Sequence, residues 1–288
     1  QSETATGQNP LALKGGARRG RDRMTESTGT NEPLLLRAYA GGICTLTLNR
    51  PEKRNALSLD LLQMLDDALD DIAADKSVHV IILAGNGPVF SSGHDLNEMR
   101  ADSGYAAIHE LFSKCSDVMA AMTRMPQPII ARVHGIATAA GCQLVASCDL
   151  AVAVDTARFA VPGVTNGLFC STPAVALGRA IGRKHAMEML LMGELIDAET
   201  ALRHGLLNKV VAADDLDAAV MEYATSINGR STLTMSMGKA AFYQQMDMEL
   251  DDAYAFASDV MARNMQEHDA HEGIDAFLQK RSPEWKGR

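Results

Sequence analysis

The sequence predicts an α/β fold, a mostly parallel sheet with crossover helices followed by a helix-rich C-terminal region. Short strand-like apolar runs recur at residues 43–49 (ICTLTLN), 78–84 (VHVIILA), 128–134 and 150–154. Stretches with helical spacing separate them, the β-α-β-α-β order expected of parallel strands joined by crossovers. Beyond Pro173 helical patterns take over.

The first 32 residues (QSETATGQNPLALKGGARRGRDRMTESTGTNE) are rich in Gly, Ser, Thr, Asn and Arg and have no apolar period, which predicts a flexible tail. Met24 is a candidate native start, with residues 1–23 as added sequence; an Arg-rich organelle-targeting segment is the alternative. Residues 43–49 alternate apolar side chains with Thr like a half-buried strand. Ser58 then caps a helix whose apolar positions Leu61, Leu62, Leu65, Ala68, Leu69 and Ile72 share one face. A buried strand at 78–84 leads into a turn-rich segment, GNGPVFSSGHD, and a helix is expected over about 103–122. The strand at 128–134 hands over to a small-residue turn and a short helix through Ser147, before the strand at 150–154. Helices are expected at 174–181, 183–192, 197–204 (closed by Gly205), 214–228, from Ser231 onward, and at about 269–281, with a strand-like interruption at 206–211.

Composition narrows the function. The 288 residues are 47% hydrophobic and 22% charged, the make-up of a folded globular chain. Apolar stretches such as 80–84 fall far short of the roughly 20 residues of a membrane helix, and the N-terminus lacks a signal-type apolar segment. Net charge is −9, and the first 32 residues hold five basic against four acidic side chains, so the acidic excess belongs to the rest. Nucleic acid and membrane are therefore not expected as partners. Five cysteines, Cys44, Cys115, Cys142, Cys148 and Cys170, are odd in number and never spaced as CxxC, which fits reduced thiols in a cytosol-like compartment.

Familiar catalytic signatures are missing. His109-Glu110 has no second His four residues after the first, Gly85-Asn86-Gly87 lacks the Lys of a phosphate loop, and there is no GxSxG elbow. Two turns of one design remain: Pro88-Val89-Phe90-Ser91-Ser92-Gly93-His94-Asp95 and Gly135-Ile136-Ala137-Thr138-Ala139-Ala140-Gly141-Cys142. Each carries small residues where a strand hands over to a helix, so each can offer free backbone amides. Two such amides on one oxygen make an oxyanion hole. Small residues that merely allow close packing are the alternative.

Six segments, NRPEKRNALS, GNGPVFSSGHDL, HGIATAAGCQLVASCDLAVA, FAVPGVTNGLF, GLLNKVV and EGIDAFLQKRSPEW, stand in the order found in the enoyl-CoA hydratase/isomerase (crotonase) superfamily. From about Pro33 to Arg288 the chain resembles that family. The resemblance implies a ClpP-like spiral of β-β-α units over residues 33–210 and a helical trimerisation region over 211–288. It also implies a homotrimer or dimer of trimers. The ligand it implies is an acyl-CoA thioester, with coenzyme A part of the substrate, no tightly bound cofactor and no metal. By motif, the oxyanion amides fall on His94 and Ala140, and the latter is tolerable where the family usually has Gly if its φ stays negative. Coenzyme A falls along Lys53, Arg54, Ala56, Asp95, Leu96 and Asn97, with Lys280 near the nucleotide phosphates. A bacterial cytoplasm, or a mitochondrion in a eukaryote, is the implied location.

The departures carry as much information. The two family glutamates fall on Gln143 and Gly163, neither of which exchanges protons near neutral pH. Substitutes in the sequence are the His94 ring, which would titrate near neutrality unless it points to the turn or solvent, Glu110 and Asp117 on the following helix, and the Cys170 thiol. Asp149 is assigned to structure. The expected function is an acyl-CoA enzyme, nominally an enoyl-CoA hydratase with weak or absent hydration. Isomerisation or other enolate chemistry, or acyl-CoA binding without turnover, are the alternatives.

Overall fold

Two adjacent glycines, Gly41 and Gly42, both at positive φ, close the hairpin that begins the fold. They join β1 (Leu35–Ala40) to β2 (Ile43–Leu48) in antiparallel register, Ala40 opposite Ile43, as a two-residue turn with left-handed dihedrals does. The computed structural model describes residues 32–288, so the tail expected over the first 32 residues lies almost entirely outside the described chain. Residues 33–288 form one contact unit.

From β2 the chain enters a repeat. A 3-10 turn (Pro51–Lys53) and helix α1 (Leu59–Ala74) lead to β3 (Val80–Gly85), β4 (Val89–Ser91), α2 (Leu96–Ala101) and α3 (Tyr105–Arg124). The next round is β5 (Ile129–Val133), β6 (Ile136–Thr138) and α4 (Ala140–Ser147). A third is β7 (Leu150–Val154), β8 (Arg158–Ala160), a 3-10 turn (Pro162–Asn166) and α5 (Ser171–Ala180). In each round the long strand joins one sheet and the short strand another. The larger sheet runs β1-β2-β3-β5-β7-β10, parallel from β2 onward, and the smaller runs β4-β6-β8-β9. The result is a β-β-α spiral.

The remainder is α6 (Arg183–Met192), β9 (Ile196–Asp197), α7 (Ala198–His204), β10 (Lys209–Val211), α8 (Leu216–Asn228), α9 (Thr232–Gln245), α10 (Leu250–Asn264) and α11 (His268–Gln279). Ser58 caps α1 by accepting the Leu61 amide at 3.3 Å, and the six apolar positions expected on its inner face are its six buried residues. β3 is buried along its whole length, as a central parallel strand must be. α8 packs on β3, β5 and β7. The helix expected over 103–122 is α3, preceded by the separate short α2, β4 and β6 replace what reads in the sequence as turns, and β8 is a further short strand.

Candidate active site

Because β4 and β6 pair in parallel, the turns that follow them lie side by side. A Cβ on Gly93 would stand 2.7 Å from the Cβ of Ala139, 3.0 Å from the Thr138 carbonyl and 3.1 Å from the Ala140 nitrogen, and Gly93 sits at φ +89°. A Cβ on Gly141 would collide with the Ser91 carbonyl. The Thr138 hydroxyl donates to the Ser92 carbonyl at 3.2 Å. The two turns are thus locked together through main chain, with glycine at both points of closest approach.

Each turn leaves one amide free of the scaffold. Leu57 donates to the Gly93 carbonyl (2.8 Å) and accepts from the Asp95 amide (3.2 Å), a parallel bridge centred on His94. In such a bridge the residue between the two partners turns its own N–H to the opposite side. Ala140 is the first residue of α4, where an N–H has no intrahelical acceptor and stands at the positive end of the helix dipole. The condition set for Ala140, a negative φ, is met, and positive φ falls on the residue before it. Ala139 has φ +51° and ψ −121°, whereas Ala140 is absent from the positive-φ positions. A non-glycine residue held there stores about 1–3 kcal/mol of strain.

The side chains around these amides are neutral. His94 packs edge-on against Phe112 of α3, ring centres 4.9 Å apart, and both its ring nitrogens are shielded and make no hydrogen bond. Burial lowers its pKa to about 4. The expectation of a ring turned to solvent or titrating near neutrality is therefore replaced by an uncharged imidazole packed on α3 with both nitrogens sealed. Gln143 is 3% exposed and its Oε1 has no partner. Gly163 follows β8, whose Ala160 carbonyl accepts the Ala139 amide at 2.9 Å. A Cβ on Gly163 would stand 2.7 Å from both the Cys170 sulfur and the Leu168 carbonyl, so no side chain fits there without displacing main chain. Cys170 accepts the Gly163 amide at 3.2 Å, and burial raises its pKa against that bond, so it is a packed thiol. Glu110 is exposed, and Asp117 borders a groove of about 430 Å³ beside Phe112.

The coenzyme-binding expectations fall into two groups. Residues 53–56 and 94–97 meet: the Ser92 amide donates to the Arg54 carbonyl (3.0 Å) and the Ser91 hydroxyl to the Asn55 carbonyl (2.9 Å). Lys53, Arg54, Leu96 and Asn97 are exposed along this seam, whereas Ala56 is buried. The Asp95 carboxylate is engaged by the Arg50 guanidinium (2.9 Å) and the Asn97 amide (3.0 Å). Burial raises its pKa, but these bonds outweigh it and hold the carboxyl below its ordinary range. Lys280 stands apart as the left-handed C-cap of α11, its amide bonded back to its own helix.

Asn55 is the organiser that motif reasoning passed over. Fully buried at positive φ, it accepts the Arg50 amide at 2.8 Å and donates to the carbonyls of Asn86 (2.8 Å), Val89 (3.0 Å) and Phe90 (3.1 Å). It ties the seam between residues 53–56 and 94–97 to β4. Its signal in the sequence is an Asn next to Arg54 in a turn, since Asn adopts left-handed backbone readily.

Among the described residues no group of three His, Cys, Asp or Glu side chains is placed to hold a metal, and no helix is long and apolar enough to cross a membrane. The site therefore offers main-chain donors, an apolar wall and neutral polar groups, a set suited to polarising a carbonyl.

The sequence profile of the enoyl-CoA hydratase/isomerase family matches residues 38–288. Over 244 residues the chain is 51% identical to the mitochondrial enoyl-CoA hydratase domain-containing protein 3 of Mus musculus, covering 85% of this chain and 81% of that one. It is 35% identical over 247 residues to 2,3-dehydroadipyl-CoA hydratase of Escherichia coli strain K12, covering 85% and 96%. The enoyl-CoA hydratase of Mycobacterium smegmatis superposes with TM-score 0.87 at 52% identity, covering 88% and 99%. Human enoyl coenzyme A hydratase domain-containing protein 3 gives 0.86 at 49%, covering 88% and 100%. With its spiral shared by these structures and its sequence matched from β1 onward, the chain belongs to the enoyl-CoA hydratase/isomerase family and has the crotonase fold.

Proposed function

We propose that the protein binds acyl-CoA thioesters and stabilises negative charge on the thioester oxygen with the main-chain N–H groups of His94 and Ala140. The observation that carries this reading is the contact between the two turns, which brings a strand-end amide beside a helix N-terminus. An oxyanion donor contributes roughly 3 kcal/mol to a transition state. Coenzyme A enters as part of the substrate, along Lys53, Arg54, Ala56, Asp95, Leu96 and Asn97. Lys280, remote within its own α11, would meet the nucleotide only across a homotrimer or dimer of trimers. A bacterial cytoplasm or a mitochondrion, the latter being the location in the names of its relatives, suits the free cysteines.

Nominally this is an enoyl-CoA hydratase, yet the proton-handling groups are gone. Each general acid or base contributes about 10² to 10⁴ in rate, so hydration is slow or absent while thioester polarisation survives. Isomerisation or other enolate chemistry needs only the surviving part. Acyl-CoA binding without turnover is favoured by the closed space at Gly163, where the second glutamate has no room.

Two measurements test this. Saturating acyl-CoA should stabilise the folded chain, by about 2.7 kcal/mol at a hundredfold excess over Kd, and the absence of any thermal shift overturns the ligand class. Hydration of a short enoyl-CoA should be slow in the wild type and at least about tenfold faster in Gln143→Glu, the one carboxylate the structure has room to restore. Wild-type turnover near the roughly 10 s⁻¹ of an ordinary enzyme would refute the argument from the missing carboxylates.

A further inference from the structure

The His94 amide owes its direction to residues outside its own turn. Residues 91–95 are stitched to residues 54–57 through the Ser92 amide on the Arg54 carbonyl, the Ser91 hydroxyl on the Asn55 carbonyl, and the Gly93 carbonyl and Asp95 amide on Leu57. Arg50, just past the end of β2, reaches both segments at once. Its Nη1 donates to the Ala56 carbonyl (3.1 Å), beside the Leu57 bridge, and its Nη2 to Asp95 Oδ2 (2.9 Å), on the residue after His94. The pair is largely sealed, with side-chain exposures of 17% for Arg50 and 9% for Asp95. The Arg50 main chain is itself fixed, its amide on Asn55 Oδ1 (2.8 Å) and its carbonyl accepting the Asn55 amide (2.9 Å).

Asp95 is filled from its other side as well. Oδ1 accepts the amides of Asn97 (3.0 Å) and Glu98 (3.4 Å), so one carboxylate holds both the guanidinium and the first turn of α2. Glu98 then accepts the Leu59 amide (3.1 Å) at the start of α1. The His94 peptide plane is thereby clamped on either side, and its N–H turns only if the clamp gives. A catalytic donor has to be held within about 0.5 Å and 10–20° of its working geometry. We propose that Arg50 is a positioning residue of the thioester-polarising site: by bracing Asp95 against Ala56 it sets the aim of the His94 N–H without touching the ligand. This rests on the reading of His94 as an oxyanion donor. Two other roles are open to a cation here, a contact to a coenzyme phosphate and a direct electrostatic pull on the oxyanion, and each behaves differently on substitution.

Cinnamoyl-CoA is a chromophoric enoyl thioester whose absorption moves to longer wavelength as its carbonyl is polarised, so its band at saturation reads the donors' aim without turnover. The full-length wild type should shift the band to the red. Arg50→Gln and Asp95→Asn should each lose at least about half of that shift, as when one of two donors is misdirected. Asp95→Asn keeps an oxygen for the α2 amides and so covers the case in which Arg50→Gln fails to fold. Lost aim lowers the shift in both variants; a direct pull of charge would lower it in Arg50→Gln and raise it in Asp95→Asn, which overturns the proposal. Free coenzyme A, lacking the thioester, should bind Arg50→Gln as it binds the wild type, and its loss with an intact shift per bound thioester would mark a phosphate contact and also overturn it. Arg37→Gln, which removes the exposed pair with Asp71, should keep the full shift, and an equal loss there overturns the assignment to Arg50. No red shift in the wild type overturns the oxyanion reading together with this inference; a wild-type shift kept in both site variants overturns this inference alone.

Discussion

His94 carries two separable groups. Its amide belongs to the proposed oxyanion site, whereas its ring is a buried base with a pKa near 4. The unfolded chain takes up a proton near pH 6.5, so it binds more protons than the folded chain between those values. The stabilising contribution is therefore complete above about pH 6.5 and is lost as pH falls toward 4, with roughly 2–3 kcal/mol at stake. In His94→Phe, which keeps an aromatic ring against Phe112, the melting temperature should fall less between pH 7 and pH 4.5 than in the wild type. Superimposable pH profiles would show that the ring is not buried as described. Motif spacing located this residue but not the setting of its ring, because that depends on Phe112, 18 positions away on helix α3. Gly163 is similar: the missing carboxylate is legible in FAVPG, the missing room is not.

At the scale of elements, legibility followed length. α1 has 16 residues over which a period declares itself, and its buried face was read residue by residue. β4, β6 and β8 have three residues each, too few for alternation to appear. The anchoring of α9 lay further out of sight. Asp149 accepts from the Ile129 amide (2.7 Å), the Lys239 ammonium (2.7 Å) and the Tyr243 hydroxyl (2.9 Å). Lys239 also donates to the carbonyls of Met122 (2.9 Å) and Gln127 (3.0 Å). Burial lowers the pKa of Lys239 despite the facing carboxylate. Asp149→Ala strands that cation and should cost about 3–5 kcal/mol in urea unfolding. Adding Lys239→Met should recover part of the loss; fully additive penalties would rule out the pair as a coupled anchor. Assigning Asp149 to structure was possible from SCDL, but its partners 90 and 94 residues away were not.

For the whole molecule, the outstanding feature is apolar surface on the C-terminal helices. Leu250, Tyr254 and Met261 of α10 and Phe277 and Leu278 of α11 are each more than 60% exposed in the single chain. Apolar patches of this kind mark association surfaces. A homotrimer or its dimer is the expected solution species, and Tyr254→Glu with Met261→Glu should lower the mass seen by light scattering toward that of one chain. A wild type that already runs as a monomer at micromolar concentration would remove this expectation. Composition indicated the sign of the charge and the strand-helix pattern the class of fold, but which helix faces stay uncovered emerged only from packing.

The interlock of the two glycine turns has a consequence for how this lineage diversifies. Groups supplied by peptide units cannot be deleted by exchanging a side chain, so Gln143 and Gly163 could arise without dismantling the cradle beneath them. New chemistries on this scaffold are then reached by redecorating a fixed floor, and drift at Gly93 or Gly141, where a single methyl has no space, is the step selection should refuse.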